Sequence, residues 1–321
     1  MKKIWQLGLT AFLAVFLLAA CGETATTEKP EVDGSPKVEE VKAEFPITLK
    51  DAVGNEITLK TAPATIVSMM PSNTEILFEL GLADEVVGVN DYDDYPAEAL
   101  KKEKIGGMEF NVEKIVSMNP EIVFAHESGL GTGEAGLQQI RDAGIPVFVV
   151  KNAANFEETY TTIETIGKAT GKTVEAEKII TDMKAKVEEI LAKTAKVEKK
   201  KTVFVETSPA PEIYTPGKNT FMDQMLEMIG AENVAADQEG WFMIDPEEIV
   251  KRNPDVLIVL YSYIETAVAD VYARPGFDTI TAIKEKEVVQ VQENITSRTG
   301  PRLAEGLEEI AKAIYPEAFV E

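Results

Sequence analysis

Short apolar segments alternate with amphipathic helical segments along most of this chain, and this alternation constrains the fold more than any other feature. In the first half, the apolar segments are ATIVSMM, VVGVN, EIVFAH and PVFVV. In the second half, TVFVE, DVLIVLYS and EVVQV follow the same arrangement. Alternation of strand and helix is typical of a mainly parallel sheet covered by helices. The residues therefore predict an α/β fold.

Two segments depart from this alternation. FPITLKD and EITLK alternate apolar and polar residues around the turn at Gly54, which predicts a β-hairpin. Between the halves, a longer helix with Thr173 as its N-cap is predicted to bury one stripe of residues: Ala176, Ile180, Met183, Val187, Ile190 and Thr194. About 24 helical residues span roughly 36 Å, enough to cross between two lobes. We therefore expect an N-terminal lobe over 45–156, a linking helical segment over 157–200 and a C-terminal lobe over 201–321.

One motif occurs once in each half. NVEKIVSMNP precedes the strand EIVFA, and DPEEIVKRNP precedes the strand DVLIV. Each motif has a helix cap, an acidic first turn, a helix and an Asn-Pro stop, which indicates paired lobes. Glu113 and Glu247 occupy equivalent positions in the two copies. The helix dipole stabilises an acid there, and one exposed acid in each lobe would also form a symmetric docking face for a partner with arginines.

The N-terminus predicts where the protein resides. Two lysines and an apolar run precede Ala19-Ala20-Cys21, so residues 1–20 are expected to be a signal peptide. The apolar run is too short for a comfortable transmembrane helix, which needs about 20 residues. Leu18-Ala19-Ala20-Cys21 resembles the bacterial lipobox, which predicts that Cys21 carries a lipid. Residues 21–44 are polar and are expected to form a flexible tether, holding the protein at the outer face of the cell membrane.

Composition excludes several functions. A formal charge of −23 disfavours binding to nucleic acid, whose phosphates need a basic face. With one cysteine and one histidine, the chain has no CxxC motif and no multi-histidine zinc site. It also lacks the G-x-S-x-G turn of many hydrolases. We therefore expect no resident cofactor or metal and no enzymatic activity. Two alternatives to a non-enzymatic binding protein stay open. One is an extracellular hydrolase, and the other is an adhesion or sensory lipoprotein that reuses the fold.

Two further patterns resemble ligand-binding motifs, but each lacks residues that its motif requires. Gly131-Thr-Gly133-Glu-Ala-Gly136 matches the dinucleotide fingerprint, but the following strand ends at Lys151 with no ribose-binding acid. We expect a flexible glycine loop there. The carboxylates of NDYDDYP lack the glycine and glutamate of a calcium loop. That segment is predicted to be a polar loop.

Taken together, the motifs of this sequence resemble those of the substrate-binding proteins of ABC importers for cobalamin, haem and iron siderophores. The resemblance rests on the lipobox, IVSMMPSNTEILFELGLADEVVGVNDYDDYP, NVEKIVSMNPEIVFAH, the long helix, EIYTPGKNTFMDQMLEMIGAENV and W-x-x-x-D-P-E-E-I. It implies two Rossmann-like lobes joined by a single long helix, with the ligand in the cleft between them. It also implies that Glu113 and Glu247 dock onto arginines of a permease dimer, which works with ATPase subunits.

Within this family the cobalamin binders look most similar. Tyr92, Tyr214 and Trp241 fall at predicted strand ends or loops, where amphipathic rings suit a pocket for a bulky ligand of mixed polarity. The resemblance implies that these three residues contact the corrin ring of vitamin B12. The segment Ile105-Gly106-Gly107 departs from the family by lacking an aromatic residue, and His126 stands where a tryptophan is common. His126 could pack against a corrin edge or, with Tyr214, ligate haem iron. Haem and ferric catecholates are anionic and usually meet arginine or lysine, and an anion site could draw on cations of the C-terminal half: Lys218, Arg274, Arg298 and Arg302. We expect a corrinoid ligand, with haem or a ferric siderophore as the alternative.

Overall fold

The computed structural model describes residues 44–320. The strands within this range are β1 (Ile47–Lys50), β2 (Glu56–Leu59), β3 (Ile66–Ser68), β4 (Val86–Val89), β5 (Glu103–Lys104), β6 (Ile122–His126), β7 (Val147–Val150), β8 (Thr202–Glu206), β9 (Tyr214–Pro216), β10 (Glu232–Asn233), β11 (Trp241–Met243), β12 (Val256–Val259) and β13 (Val288–Gln290). The predicted signal peptide, Cys21 and the tether up to residue 43 lie outside the described residues.

The same range contains α-helices between the strands. They are α1 (Pro71–Glu79), α2 (Val112–Ser117), α3 (Leu130–Asp142), α4 (Phe156–Thr170), α5 (Thr173–Thr194), α6 (Phe221–Met228), α7 (Pro246–Arg252), α8 (Ala267–Ala273), α9 (Thr281–Lys284), α10 (Glu293–Ser297) and α11 (Leu303–Ile314). Short 3₁₀ helices occur at Ala99–Lys101, Glu127–Gly129, Phe277–Thr279 and Pro316–Phe319.

Two parallel sheets form the centres of two lobes. The first has the strand order β5-β4-β3-β6-β7, and the second has the order β10-β8-β12-β13. The inner strands β6 and β12 are buried along their whole length. Such strands are apolar on both faces because helices cover both sides of a parallel sheet. The predicted α/β fold with two lobes is confirmed.

The repeated motif has the same structure in both lobes. Helix α2 leads into β6, and α7 leads into β12, which occupies the equivalent place in its sheet. Asn119 and Asn253 end these helices with φ of 48° and 45°, in the left-handed region. Each asparagine precedes a proline, which disfavours helical geometry in the residue before it. The internal repeat read from the sequence is therefore a repeat of structure.

Two antiparallel ribbons accompany the sheets. Strands β1 and β2 form the predicted hairpin, with Ile47 paired to Leu59. Strands β9 and β11 form a ribbon in the second lobe, with Trp241 paired to Pro216 and Met243 paired to Tyr214. Alternation was visible in the sequence of the first ribbon, but each strand of the second has only three residues. Strands of that length carry too little pattern for prediction.

Helices α4 and α5 connect the two sheets. Helix α5 has 22 residues and so extends roughly 33 Å. Its buried residues are Ala176, Ile179, Met183, Val187, Ile190 and Thr194. The predicted stripe was wrong at one position, since Ile179 and not Ile180 is buried. The predicted cap was also one residue late, because the N-cap is Lys172 and the helix begins at Thr173.

The expected glycine loop is wrong. Gly131, Gly133 and Gly136 all lie within helix α3. A Cβ atom placed on Gly133 or Gly136 would come within 3.0 Å or 2.8 Å of the Phe110 ring. Small residues are thus required where this ring packs against the helix, and that packing is a tertiary contact that the local sequence does not reveal.

Candidate functional site

A cavity of about 270 Å³ lies in the first lobe where strands β3 and β6 end. In the sheet, β4 lies on one side of β3, and β6 lies on the other side of β3. Ligands of open α/β sheets bind at such a change in strand order, outside the carboxyl ends of the strands. Two residues predicted from the sequence, Tyr92 and His126, line this cavity. A second cavity, of about 310 Å³ beside β7 and α4, contains none of the predicted site residues.

His126 is the last residue of β6 and is 8 % exposed. Its Nδ1 lies 2.8 Å from Oγ of Ser128, and the backbone N–H of Ser128 donates to Nδ1 at 3.3 Å. Burial lowers the pKa of His126 to about 4, although the negative charge of Glu127 raises it. The ring is therefore neutral at physiological pH. Within residues 44–320 its Nε2 makes no hydrogen bond.

A buried carboxylate supports the loop that carries Tyr92. Asp93 accepts hydrogen bonds through Oδ2 from the hydroxyl of Thr74 and the backbone N–H of Asn90, both at 2.8 Å. Asn90 in turn donates to the carbonyl of Met69 and accepts from the N–H of Tyr92. Burial raises the pKa of Asp93 to about 6, although these hydrogen bonds and nearby cations lower it. The network fixes the turn between β4 and the exposed tyrosine.

Tyr92 projects from this loop and is 66 % exposed. Its ring lies against Gly107, where a Cβ atom would come within 2.8 Å of the ring. The segment Ile105-Gly106-Gly107 has no aromatic residue of its own, and its Gly107 borders the ring of Tyr92. Other apolar residues that line the cavity were not predicted from the sequence: Met69, Met70, Met108 and Phe110. The position of Met69 and Met70, directly after a buried strand, was the one available signal for them.

The other two predicted aromatic residues lie on the ribbon of the second lobe. Tyr214 is paired with Met243, and Trp241 is paired with Pro216. Because residues two apart on a strand and partners across strands share a face, these four side chains lie on one face of the ribbon. Tyr214 is 44 % exposed and Trp241 is 48 % exposed. Phe221 flanks the indole, with ring centroids 5.7 Å apart.

Ion pairs engage three of the four cations considered for an anion site. Arg298 donates to Glu75 at 2.9 Å, to Asp94 at 2.6 Å and to the carbonyl of Tyr92 at 3.3 Å. Arg302 also binds Glu75, and Arg274 binds the buried carboxylate of Glu206 through two hydrogen bonds. Lys218 is exposed. The guanidinium of Arg298 thus joins the two lobes. A contact between Arg298 and a ligand stays a prediction.

Glu113 and Glu247 have the same local environment. Each is the second residue of its helix, α2 or α7, and each is exposed. Asn111 caps α2 by accepting from the N–H of Lys114 at 2.9 Å, whereas Asp245 makes no capping hydrogen bond. Neither glutamate has a hydrogen bond or ion pair within the described range 44–320. Both carboxylates are therefore available to a partner.

The described part of the chain shows neither a metal-binding cluster nor a membrane-spanning helix. Residues 44–320 contain no group of three or more His, Cys, Asp or Glu side chains that could hold a metal ion. In the same range, no helix is both long and apolar enough to cross a membrane.

Two lobes on parallel sheets, with a cavity in the first lobe and exposed aromatic side chains in both, define a two-lobed binding protein. The model of the periplasmic binding protein family matches residues 66–294, and the chain belongs to this family. Its members bind solutes and are not enzymes. The chain is 43% identical, over 100% of both sequences, to YvrC of Bacillus subtilis, an uncharacterized ABC transporter substrate-binding lipoprotein.

Two further comparisons extend this result. A cobalamin-binding protein of Halobacterium salinarum is 28% identical, over 94% of this chain and 84% of that protein. The crystal structure of a possible iron-binding periplasmic solute-binding protein from Staphylococcus epidermidis is 37% identical and has a TM-score of 0.73. That match covers 79% of this chain and 100% of the other. The chain is thus the substrate-binding component of an ABC transporter, a class that works with permease and ATPase components.

Proposed function

We propose that this protein captures a corrinoid outside the cell membrane and delivers it to an ABC permease. The observation that carries the proposal is the exposure of three aromatic side chains, Tyr92 in one lobe and Tyr214 and Trp241 in the other. Large exposed rings bind bulky ligands of mixed polarity, because they contribute apolar area with little loss of conformational freedom. The cobalamin-binding relative supports the same class of ligand.

The size of the cavity favours a ligand shared between lobes. Sites for small molecules usually enclose about 300–1,000 Å³, and the cavity of the first lobe measures about 270 Å³. A corrinoid is larger, so one side of the ring would lie in this cavity and the rest against the ribbon of Tyr214 and Trp241. The ion pairs that join the lobes would keep such a cleft preformed, which lowers the ordering cost of binding.

The distribution of charge favours an amide-rich ligand over an anionic one. Haem and ferric catecholates carry negative groups that need a free arginine or lysine. Arg274, Arg298 and Arg302 are already bound to carboxylates. Releasing Arg274 would leave the buried carboxylate of Glu206 without its ion pair, and releasing Arg298 or Arg302 would break one of the two ion pairs of the buried Glu75, which is unfavourable. A corrinoid bearing neutral amides avoids this cost.

Delivery would use the two equivalent glutamates. Glu113 and Glu247 each present a carboxylate at the start of a helix, one in each lobe. A permease dimer with one arginine site in each subunit would match this arrangement. We further propose that Cys21 carries the lipid that holds the protein at the outer face of the membrane.

The proposal is tested by titrating the purified full chain with cyanocobalamin, hemin and a ferric hydroxamate in parallel calorimetric experiments. We expect saturable binding of one cyanocobalamin per chain and no comparable binding of the other two ligands. Binding of hemin or the hydroxamate alone would retain the transport role and replace the proposed cargo. Absence of binding by all three would contradict the proposal.

A further inference from the structure

A further exposed ring, that of Tyr263, lies in the second lobe and is not among the predicted site residues. Tyr263 is 67 % exposed, as much as Tyr92 at 66 %. It follows the carboxyl end of strand β12, which ends at Val259. A single exposed ring has no functional meaning by itself, so its support and its position decide its role.

The ring of Tyr263 packs on a buried tyrosine that is itself fixed. Its centroid lies 5.5 Å from that of Tyr261, with an angle of 38° between the two planes. The Tyr261 hydroxyl donates to Oε1 of Glu206 at 2.8 Å, and Arg274 donates to both oxygens of the same buried carboxylate. Gln290 donates to the carbonyl of Tyr261 at 2.8 Å. These bonds fix the surface on which the exposed ring packs.

The segment that carries Tyr263 leaves the second sheet next to the ribbon of Tyr214. Strands β8 and β12 are neighbours in this sheet, and Val259 is paired with Glu206 at their carboxyl ends. Tyr214 is held close to the end of β8, because the N–H and the hydroxyl of Thr207 both donate to its carbonyl at 2.9 Å. Neighbouring strands are about 4.8 Å apart. The two tyrosines therefore follow adjacent strand ends at one edge of the sheet.

The same edge contacts the loop of Tyr92 in the first lobe. Glu293, the first residue of α10, accepts hydrogen bonds at 3.3 Å from the N–H and the hydroxyl of Ser262, which precedes the exposed ring. One residue further along α10, Asn294 donates to Asp94 in the loop of Tyr92. Both loops follow carboxyl ends of parallel strands, where ligands of such sheets bind. The exposed ring thus lies on the side of the second lobe that meets the first.

We infer that Tyr263 is a further ligand contact of this protein and packs against an apolar face of the bound corrinoid. This inference rests on the proposed function. Tyr92 would hold the ligand from the first lobe, while Tyr263 and the ribbon of β9 and β11 would hold it from the second. Because the ring of Tyr263 is oriented before the ligand arrives, its contact costs little ordering entropy.

Calorimetric titration of the full chain with cyanocobalamin tests the inference. Tyr263→Ala should weaken binding about tenfold, because the apolar area that the ring buries against the ligand is lost. Tyr263→Phe is the matched control, since it keeps the ring, and its affinity should stay within about threefold of the parent. Unchanged affinity of Tyr263→Ala would overturn the inference and leave the proposed function intact. Failure of the parent protein to bind cyanocobalamin would overturn both.

A second measurement on the parent protein does not depend on how the variants fold. Tetranitromethane nitrates accessible tyrosines, and mass spectrometry of peptides locates the modified residues. We expect nitration of Tyr263 in the free protein and protection of Tyr263 by saturating cyanocobalamin. Tyr272, a partly exposed tyrosine on helix α8, is the internal control and should react equally in both states. Equal nitration of Tyr263 with and without bound cyanocobalamin would contradict its contact with the ligand.

Discussion

Glu75 and Arg302, which are 227 residues apart in the chain, form a two-point ion pair between the lobes. Arg302 donates from Nε to Oε2 at 2.9 Å and from Nη2 to Oε1 at 2.7 Å. Glu75 is 3 % exposed, and Arg298 binds the same carboxylate. The guanidinium of Arg302 also lies over the Tyr95 ring, 3.7 Å from its centroid. One buried carboxylate thus holds two arginines of the other lobe.

Removal of this carboxylate should destabilise the protein strongly. Glu75→Ala leaves Arg298 and Arg302 without their buried partner, and breaking such a pair costs about 3–5 kcal/mol. We expect a loss of this size in the free energy of unfolding, measured in urea by circular dichroism. The matched control is Glu164→Ala, which breaks an exposed pair with Lys168 and should change stability by less than about 1 kcal/mol. Equal effects of the two changes would contradict the role given to Glu75.

Loss of an exposed ring should weaken ligand binding without loss of stability. Burying a large apolar side chain against a ligand contributes about 1.5–3 kcal/mol. Trp241→Ala and Tyr92→Ala should each reduce cyanocobalamin affinity by about 10- to 100-fold in calorimetry. Leu100→Ala is the matched control, because Leu100 is also exposed but lies neither in the lining of the cavity nor on the ribbon of β9 and β11. Unchanged affinity in both ring variants would remove these residues from the site.

Docking and ligand capture should separate in one double variant. Because Glu113 and Glu247 are exposed at helix starts and distinct from the cavity, replacing both by alanine should abolish corrinoid uptake by cells that depend on this protein. The calorimetric affinity should remain within about threefold. Glu188→Ala, which removes an exposed carboxylate from α5, should leave uptake intact. Loss of ligand affinity in the double variant would contradict the docking assignment.

Asp93 should make stability depend on pH with an unusual sign. Its pKa is about 6 in the folded protein against an ordinary value of 3.8, so the folded state holds its proton more tightly. Stability from this group is present below pH 3.8 and lost as the pH rises through 6, by about 3 kcal/mol. Asp93→Asn removes this loss. The variant should therefore be more stable than the parent at pH 7, and the difference should shrink toward pH 4.

Urea unfolding at several pH values tests this prediction. His126 titrates with the opposite sign: its pKa falls from 6.5 to about 4, so its contribution is lost as the pH decreases through that range. The parent protein should thus show a shallow net dependence between pH 4 and 6. The Asp93→Asn variant should lose stability more steeply on acidification. A constant difference between variant and parent at all pH values would exclude titration of Asp93 as the cause.

The order of strands and helices was predictable because it depends on local periodicity. Apolar runs, helical spacing, the Asn111 cap and the two Asn-Pro stops all act within a few residues of the chain. The same local signals gave Glu113 and Glu247 their equivalent positions at two helix starts. Tyr92, Tyr214 and Trp241 were selected by their positions at predicted strand ends or loops and through resemblance to a family, and the structure adds that all three are exposed.

Other features required the tertiary structure, because they depend on residues far apart in sequence. The glycines between residues 131 and 136 predict a loop, but in the structure they lie in helix α3, where the Phe110 ring packs on them. Asp93 and Asp94 look alike in NDYDDYP, yet one is buried on Thr74 and the other binds Asn294 and Arg298. Arg298 is predicted from the sequence to contact a ligand, and only the tertiary structure shows that it binds Glu75. Local sequence thus determined the order of most strands and helices, whereas long-range packing and charge pairing decided which polar groups remain available to a ligand.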